Sequence, residues 1–98
     1  MKRQILFHRH AAKYLKKMPA ERKAQVLDAV RTLATLIDPT ASPNVSKLAG
    51  GWDGAWRLRV GSYRVIFKFS LPDAHPNSSP PPDVFEVLLI GPRGDIYK

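Results

Sequence analysis

Arg57, Arg59, Arg64 and Lys68 interleave with apolar residues along two short runs, Trp56-Arg57-Leu58-Arg59-Val60 and Tyr63-Arg64-Val65-Ile66-Phe67-Lys68-Phe69. A guanidinium is a planar fork that grips phosphate oxygens in pairs and stays charged while a transition state gains negative charge. With a pKa above about 12, it is a poor general base at neutral pH. Cations in this pattern therefore suit holding a polyanion, and any proton transfer falls to another group. The rest of the chain offers few other chemistries. Cysteine is absent, which removes thiol nucleophiles, thiolate metal sites and disulfides. His8, His10 and His75 lack metal-like or triad-like spacing, and Asp53, Asp83, Glu86 and Asp95 are too scattered for a paired-carboxylate site.

The two runs are separated only by Gly61-Ser62, the signature of a β-hairpin with a two-residue turn whose first central position takes positive φ. In that register Val60 faces Tyr63, Arg59 faces Arg64, Leu58 faces Val65, Arg57 faces Ile66 and Trp56 faces Phe67. One side of the hairpin then carries Trp56, Leu58, Val60, Tyr63, Val65, Phe67 and Phe69, which makes a core. The other gathers Arg57, Arg59, Arg64 and Lys68. Like charges directly opposite each other destabilise a sheet. Arg59 beside Arg64 thus asks for a counter-anion.

Sixteen Lys and Arg against eight Asp and Glu give a net charge of +8, which fits nucleic acid or an acidic protein partner. The 98 residues, 44% hydrophobic and 24% charged, suit one ordinary globular domain spanning 1–98. The basic start Met1-Lys2-Arg3 is followed by no apolar stretch of signal-peptide length, and nothing approaches a membrane span. The expectation is a cytoplasmic protein with no membrane partner.

Arg3–Phe7 reads as a first strand. From Arg9 the period becomes helical, with Ala11, Ala12, Tyr14, Leu15 and Met18 on one side and Lys13, Lys16 and Lys17 polar. Pro19 ends that helix and opens a second, striped by Val26, Val30, Leu33 and Ile37 and stopped at Asp38-Pro39. Residues 39–54 read as a loop. The hairpin follows, then a proline-rich loop insertion at 71–83, then an apolar strand from Val84 to Ile90 that Gly91-Pro92 breaks. The fold class is α+β in the order β-α-α-β-β-β, with two N-terminal helices packed on one face of a largely antiparallel sheet. The arginine side is expected to be the open face.

The run Arg57-Leu58-Arg59-Val60-Gly61-Ser62-Tyr63-Arg64-Val65-Ile66-Phe67 resembles the central hairpin of the RelE/ParE toxin superfamily. The closing Ile90-Gly91-Pro92-Arg93-Gly94-Asp95-Ile96-Tyr97 resembles its C-terminal segment, and Lys47-Leu48-Ala49-Gly50 agrees in position. The resemblance spans nearly the whole chain except the 71–83 insertion, and it favours the RelE branch. It implies the toxin of a type II toxin–antitoxin pair: a ribosome-dependent messenger RNA endoribonuclease that arrests growth and needs no metal or cofactor. The implied partners are a cognate antitoxin, the ribosome and mRNA, with the toxin monomeric alone and hetero-oligomeric with its antitoxin. In the ParE branch the same fold inhibits DNA gyrase and cuts no RNA.

On this resemblance the catalytic candidates are Arg57, Arg59, Arg64, Arg93 and Tyr97. Arg64 matches the family's hairpin arginine, and Arg93 and Tyr97 match its C-terminal arginine and tyrosine. Tyr97 would stack on a splayed base, or orient or receive the proton of the attacking 2′-hydroxyl. Lys13, Lys16, Lys17, Lys47, Lys68 and Lys98 are the candidate nucleic-acid contacts. One departure matters: RelE members carry lysines, implicated in proton transfer, where this chain has Arg57 and Arg59. A degenerate toxin that serves only as its antitoxin's partner is the reading this departure favours. Plainer roles stay open as well: a solvated strand face for Arg57 and Arg59, an ion pair with Asp53 or Glu86 for Arg64, and a solvated helix face for the lysines.

Overall fold

Leu58 and Val65 pack on one side of a hairpin whose pairing is the one the alternation dictates. Strand β3 (Trp56–Val60) and strand β4 (Tyr63–Phe69) run antiparallel, with Trp56 opposite Phe67, Arg57 opposite Ile66, Arg59 opposite Arg64 and Val60 opposite Tyr63. Gly61 takes φ +58 while Ser62 does not turn positive, as a type II′ turn requires. A Cβ at Gly61 would meet nothing within 4 Å, so only the backbone resists a side chain there. Gly61→Ala is accordingly expected to cost about 1–2 kcal/mol, read as a melting temperature lower by roughly 5–15 °C.

The computed structural model describes residues 3–48, 54–70, 77 and 83–92. Before the hairpin come β1 (Gln4–Phe7), helix α1 (Arg9–Lys17), helix α2 (Ala20–Thr35), a 3-10 turn (Pro39–Ala41) and a short strand β2 (Val45–Lys47); after it comes β5 (Val84–Pro92). The five strands lie in the order β1-β5-β4-β3-β2, all antiparallel neighbours except the parallel pair β1–β5. The α+β class and the helix pair on a largely antiparallel sheet are as expected.

Three details differ from the sequence reading. Residues 39–54 are not all loop, because β2 pairs with β3 at the sheet edge; three residues are too few to show an alternation. Strand β5 runs through Gly91 to Pro92, which pair with Arg64 and Tyr63; proline is tolerated at a strand end. Helix α2 ends at Thr35, so Ile37 leaves the apolar stripe and is 67% exposed.

The core lies between the helices and one face of the sheet. Ala11 and Leu15 of α1 and Val26, Val30, Leu33 and Ala34 of α2 meet Leu58, Val65, Phe67, Phe85, Val87 and Ile90. Phe67 stacks on Phe85 with ring centroids 4.8 Å apart. An irregularity in the β4–β5 pairing takes the register from Ile66–Leu89 to Phe67–Val87. This extra residue lets both Val87 and Ile90 reach the core, so β5 is apolar almost throughout, with Glu86 as the exception.

Arg3, just ahead of β1, is 6% exposed. Its Nε donates to the Ser70 carbonyl (2.7 Å), Nη1 to the carbonyls of Ala34 (3.2 Å) and Leu36, and Nη2 to that of Ile37 (2.8 Å). The guanidinium also sits 5.3 Å from the centre of the Phe69 ring. It therefore caps the C-terminal carbonyls of α2 and ties them to the end of β4. Burial lowers its pKa from the usual guanidinium value, with Asp83 and Asp38 acting in the opposite direction.

Candidate nucleic-acid interface

Two rows of residues cross the sheet on the side away from the helices. The first runs Asn44, Arg59, Arg64, Gly91; the second runs Ser46, Arg57, Ile66, Leu89. Asn44, just before β2, continues the β2–β3 ladder by accepting the Arg59 backbone N–H at 2.9 Å. Arg57, Arg59 and Arg64 line one cleft of about 190 Å³, whose other walls are Pro43, Asn44, Val45 and Ser46. The three cations reach it from different depths: Arg59 is exposed, Arg57 half-buried and Arg64 only 6% exposed. Gly91, opposite Arg64 on β5, places no side chain beside it.

This face is not bare, contrary to the expectation of an open side. Ile66 is fully buried, and Ala55 and Arg64 are 2% and 6% exposed. Ile66 occupies the arginine side of the hairpin as Arg57's partner, so the face has an apolar centre between its cations. That centre matters chemically. Charges beside a poorly hydrated surface act on an anion more strongly than charges in open water. Arg57 is further fixed by its Nε, which donates to the Ser46 hydroxyl at 2.9 Å.

A larger groove of about 660 Å³ lies between α2 and the β3 edge, lined by Asp28, Leu33, Leu36, Leu58 and Val60. It shares Arg59 and Asn44 with the arginine cleft, so these two residues form the ridge between them. Among the described residues no group of three or more His, Cys, Asp or Glu side chains is placed to hold a metal ion. No helix among them is long and apolar enough to cross a membrane.

No protein-family model and no curated protein matches the chain. Solved structures do. A chain of the archaeal RelE–RelB complex from Pyrococcus horikoshii is 27% identical, covering 97% of this chain and 99% of that one, with a TM-score of 0.70. The fold is that of the RelE toxin superfamily. The RelBE2 toxin–antitoxin complex of Mycobacterium tuberculosis aligns at TM-score 0.66 over 95% of this chain and all of that one, at 18% identity. The RelB–RelE complex of Methanococcus jannaschii does so at 0.65 over 94% of each chain, also at 18% identity.

Within this RelE-like fold the candidate residues part company. Arg57, Arg59 and Arg64 converge on the cleft. Lys68 shares the arginine side of β4 but lies beyond the cleft, paired in register with Glu86. Lys47 alternates with Ser46 and so belongs to the other side of β2. Lys13, Lys16 and Lys17 are exposed on α1, in the helix layer. Arg93, Tyr97 and Lys98 lie outside the described residues, as do Asp53 and nearly all of the 71–83 insertion. Glu86, considered above as a partner for Arg64, pairs instead with His8, Nε2 to Oε2 at 2.6 Å. Sequence reasoning missed Ser46 because β2 is too short to reveal which strand it joins.

Proposed function

We propose that the chain is the toxin of a type II toxin–antitoxin pair and acts as a ribosome-dependent mRNA endoribonuclease. The observation that carries this reading is the convergence of Arg57, Arg59 and Arg64 on a cleft small enough to hold one phosphodiester. In the reaction, the 2′-oxygen of one nucleotide attacks the adjacent phosphorus. Its proton leaves to a base, the bond to the 5′-oxygen breaks, and that oxygen takes a proton. The products are a 2′,3′-cyclic phosphate and a free 5′-hydroxyl. The arginines' share is the negative charge on the non-bridging oxygens, which grows as phosphorus becomes five-coordinate.

Proton transfer lies outside the guanidiniums' competence. Tyr97 or a ribosomal group serves as base, and the crowded positive cleft lowers the pKa of the 2′-hydroxyl it faces. Arg93 is a further contact to the same phosphate on the family resemblance. Lys13, Lys16, Lys17, Lys47, Lys68 and Lys98 supply longer-range attraction to ribosomal RNA. The partner that restrains the chain is an antitoxin, as RelB partners RelE in the complexes that share this fold.

The test is induction of the chain in a host lacking its antitoxin, followed by primer extension on ribosome-bound transcripts. New 5′ ends within codons are expected, with growth arrest. Intact transcripts with an SOS response would place the chain with the gyrase inhibitors instead, and harmless overproduction would make it a partner protein only.

A further inference from the structure

We propose that Ser46 is a positioning residue for the arginine cleft, holding Arg57 in the orientation that meets phosphate. The inference rests on the phosphate-binding reading above and extends it to edge strand β2. Ser46 stands directly opposite Arg57, shares its side of the sheet, and accepts the Nε–H at 2.9 Å. Both residues line the cleft together with Arg59 and Arg64.

Mutual repulsion among the cleft's guanidiniums favours rotamers that swing these long side chains apart. A neutral acceptor opposes that without cancelling charge. A carboxylate at position 46 would hold Arg57 more tightly, yet it would neutralise the cleft and occupy the place of the phosphate. The hydroxyl is thus the acceptor type that fixes a guanidinium and leaves its charge available to an anion. Nε faces Ser46, so this edge of the fork is turned toward β2. The backbone carbonyl of Asn44 accepts the Arg59 backbone N–H, so residues 44–46 also hold the strand that carries Arg57 and Arg59.

The experiment compares Ser46→Ala, Ser46→Thr and Ser46→Asp in the full chain, each also in an Arg57→Ala background. Inorganic phosphate is titrated by NMR while the Arg57 Hε resonance is followed, and cleavage of ribosome-bound transcripts is timed. Ser46→Ala is expected to expose the Arg57 Hε to water exchange, weaken phosphate binding and slow cleavage about 10- to 100-fold, the scale of a misplaced reacting group. Ser46→Thr restores all three. Ser46→Asp keeps Arg57 Hε protected but loses phosphate. In the Arg57→Ala background, Ser46→Ala adds nothing. A Ser46→Ala chain that binds phosphate like the parent, or that loses as much again without Arg57, overturns the proposal. If the parent leaves transcripts intact, the nuclease reading falls, and the phosphate titration and Hε resonance still decide the role of Ser46.

Discussion

Arg64→Ala should abolish growth arrest and slow transcript cleavage on ribosomes by about 100- to 1,000-fold, the usual loss when one preorganised charge-stabilising donor is removed. Arg64 is singled out over its neighbours by its setting. It sits on β4 between Arg59 on one side and Gly91 on the other, at 6% exposure, where its charge is less screened than that of exposed Arg59. Arg64→Lys keeps the positive charge but replaces a planar fork with a point charge, so most of the activity should still be lost. Thermal unfolding of both variants separates chemistry from folding, since the lysine variant retains most of the buried stem. Full toxicity in either variant, with unchanged 5′-end maps, would remove Arg64 from the site.

The largest effect on stability is expected at Arg3. In Arg3→Met, the carbonyls of Ser70, Ala34, Leu36 and Ile37 lose the donor they share. A buried acceptor left without its partner costs about 1–3 kcal/mol. Removing a buried cation offsets part of that sum, and solvent near the helix end relieves some of the carbonyls. A net loss on the order of 3 kcal/mol follows, which lowers the melting temperature of a domain this size by roughly 12–24 °C. Arg3→Lys should recover only part of it, because one ammonium cannot serve carbonyls spread over two elements. Urea denaturation with an unchanged slope would attribute the loss to the native state. A methionine variant that melts within about 3 °C of the parent would mean that the helix end and β4 hold together without this tie.

The hairpin was the most legible part of the chain because strict alternation and Gly61-Ser62 leave little choice of register. All five of its cross-strand pairs follow from that pattern. What stayed hidden depended on partners distant in sequence. Arg3 looks like part of a basic leader, and only the fold reveals that it meets residues 31 to 67 positions away. Strand β2 lacks the length to carry a period, so the outer wall of the cleft was invisible, and Ser46 with it. The buried state of Arg64 was equally hidden, since an alternation pattern assigns a side chain to a face but not to a depth. Ile66 was the available clue: an apolar residue among the cations marks a covered patch rather than bare surface.

The strand order has a consequence for synthesis. Strand β5 lies between β1 and β4, so the last of the five described strands is inserted inside the sheet and supplies the neighbour that β1 requires. A nascent chain that has exposed only its helices and hairpin lacks Phe85, Val87 and Ile90, and with them much of the apolar layer beneath α1 and α2. Such an intermediate cannot complete its core, and Arg64 has no Gly91 alongside. The surface that carries Arg57, Arg59 and Arg64 is therefore complete only once β5 has joined the sheet.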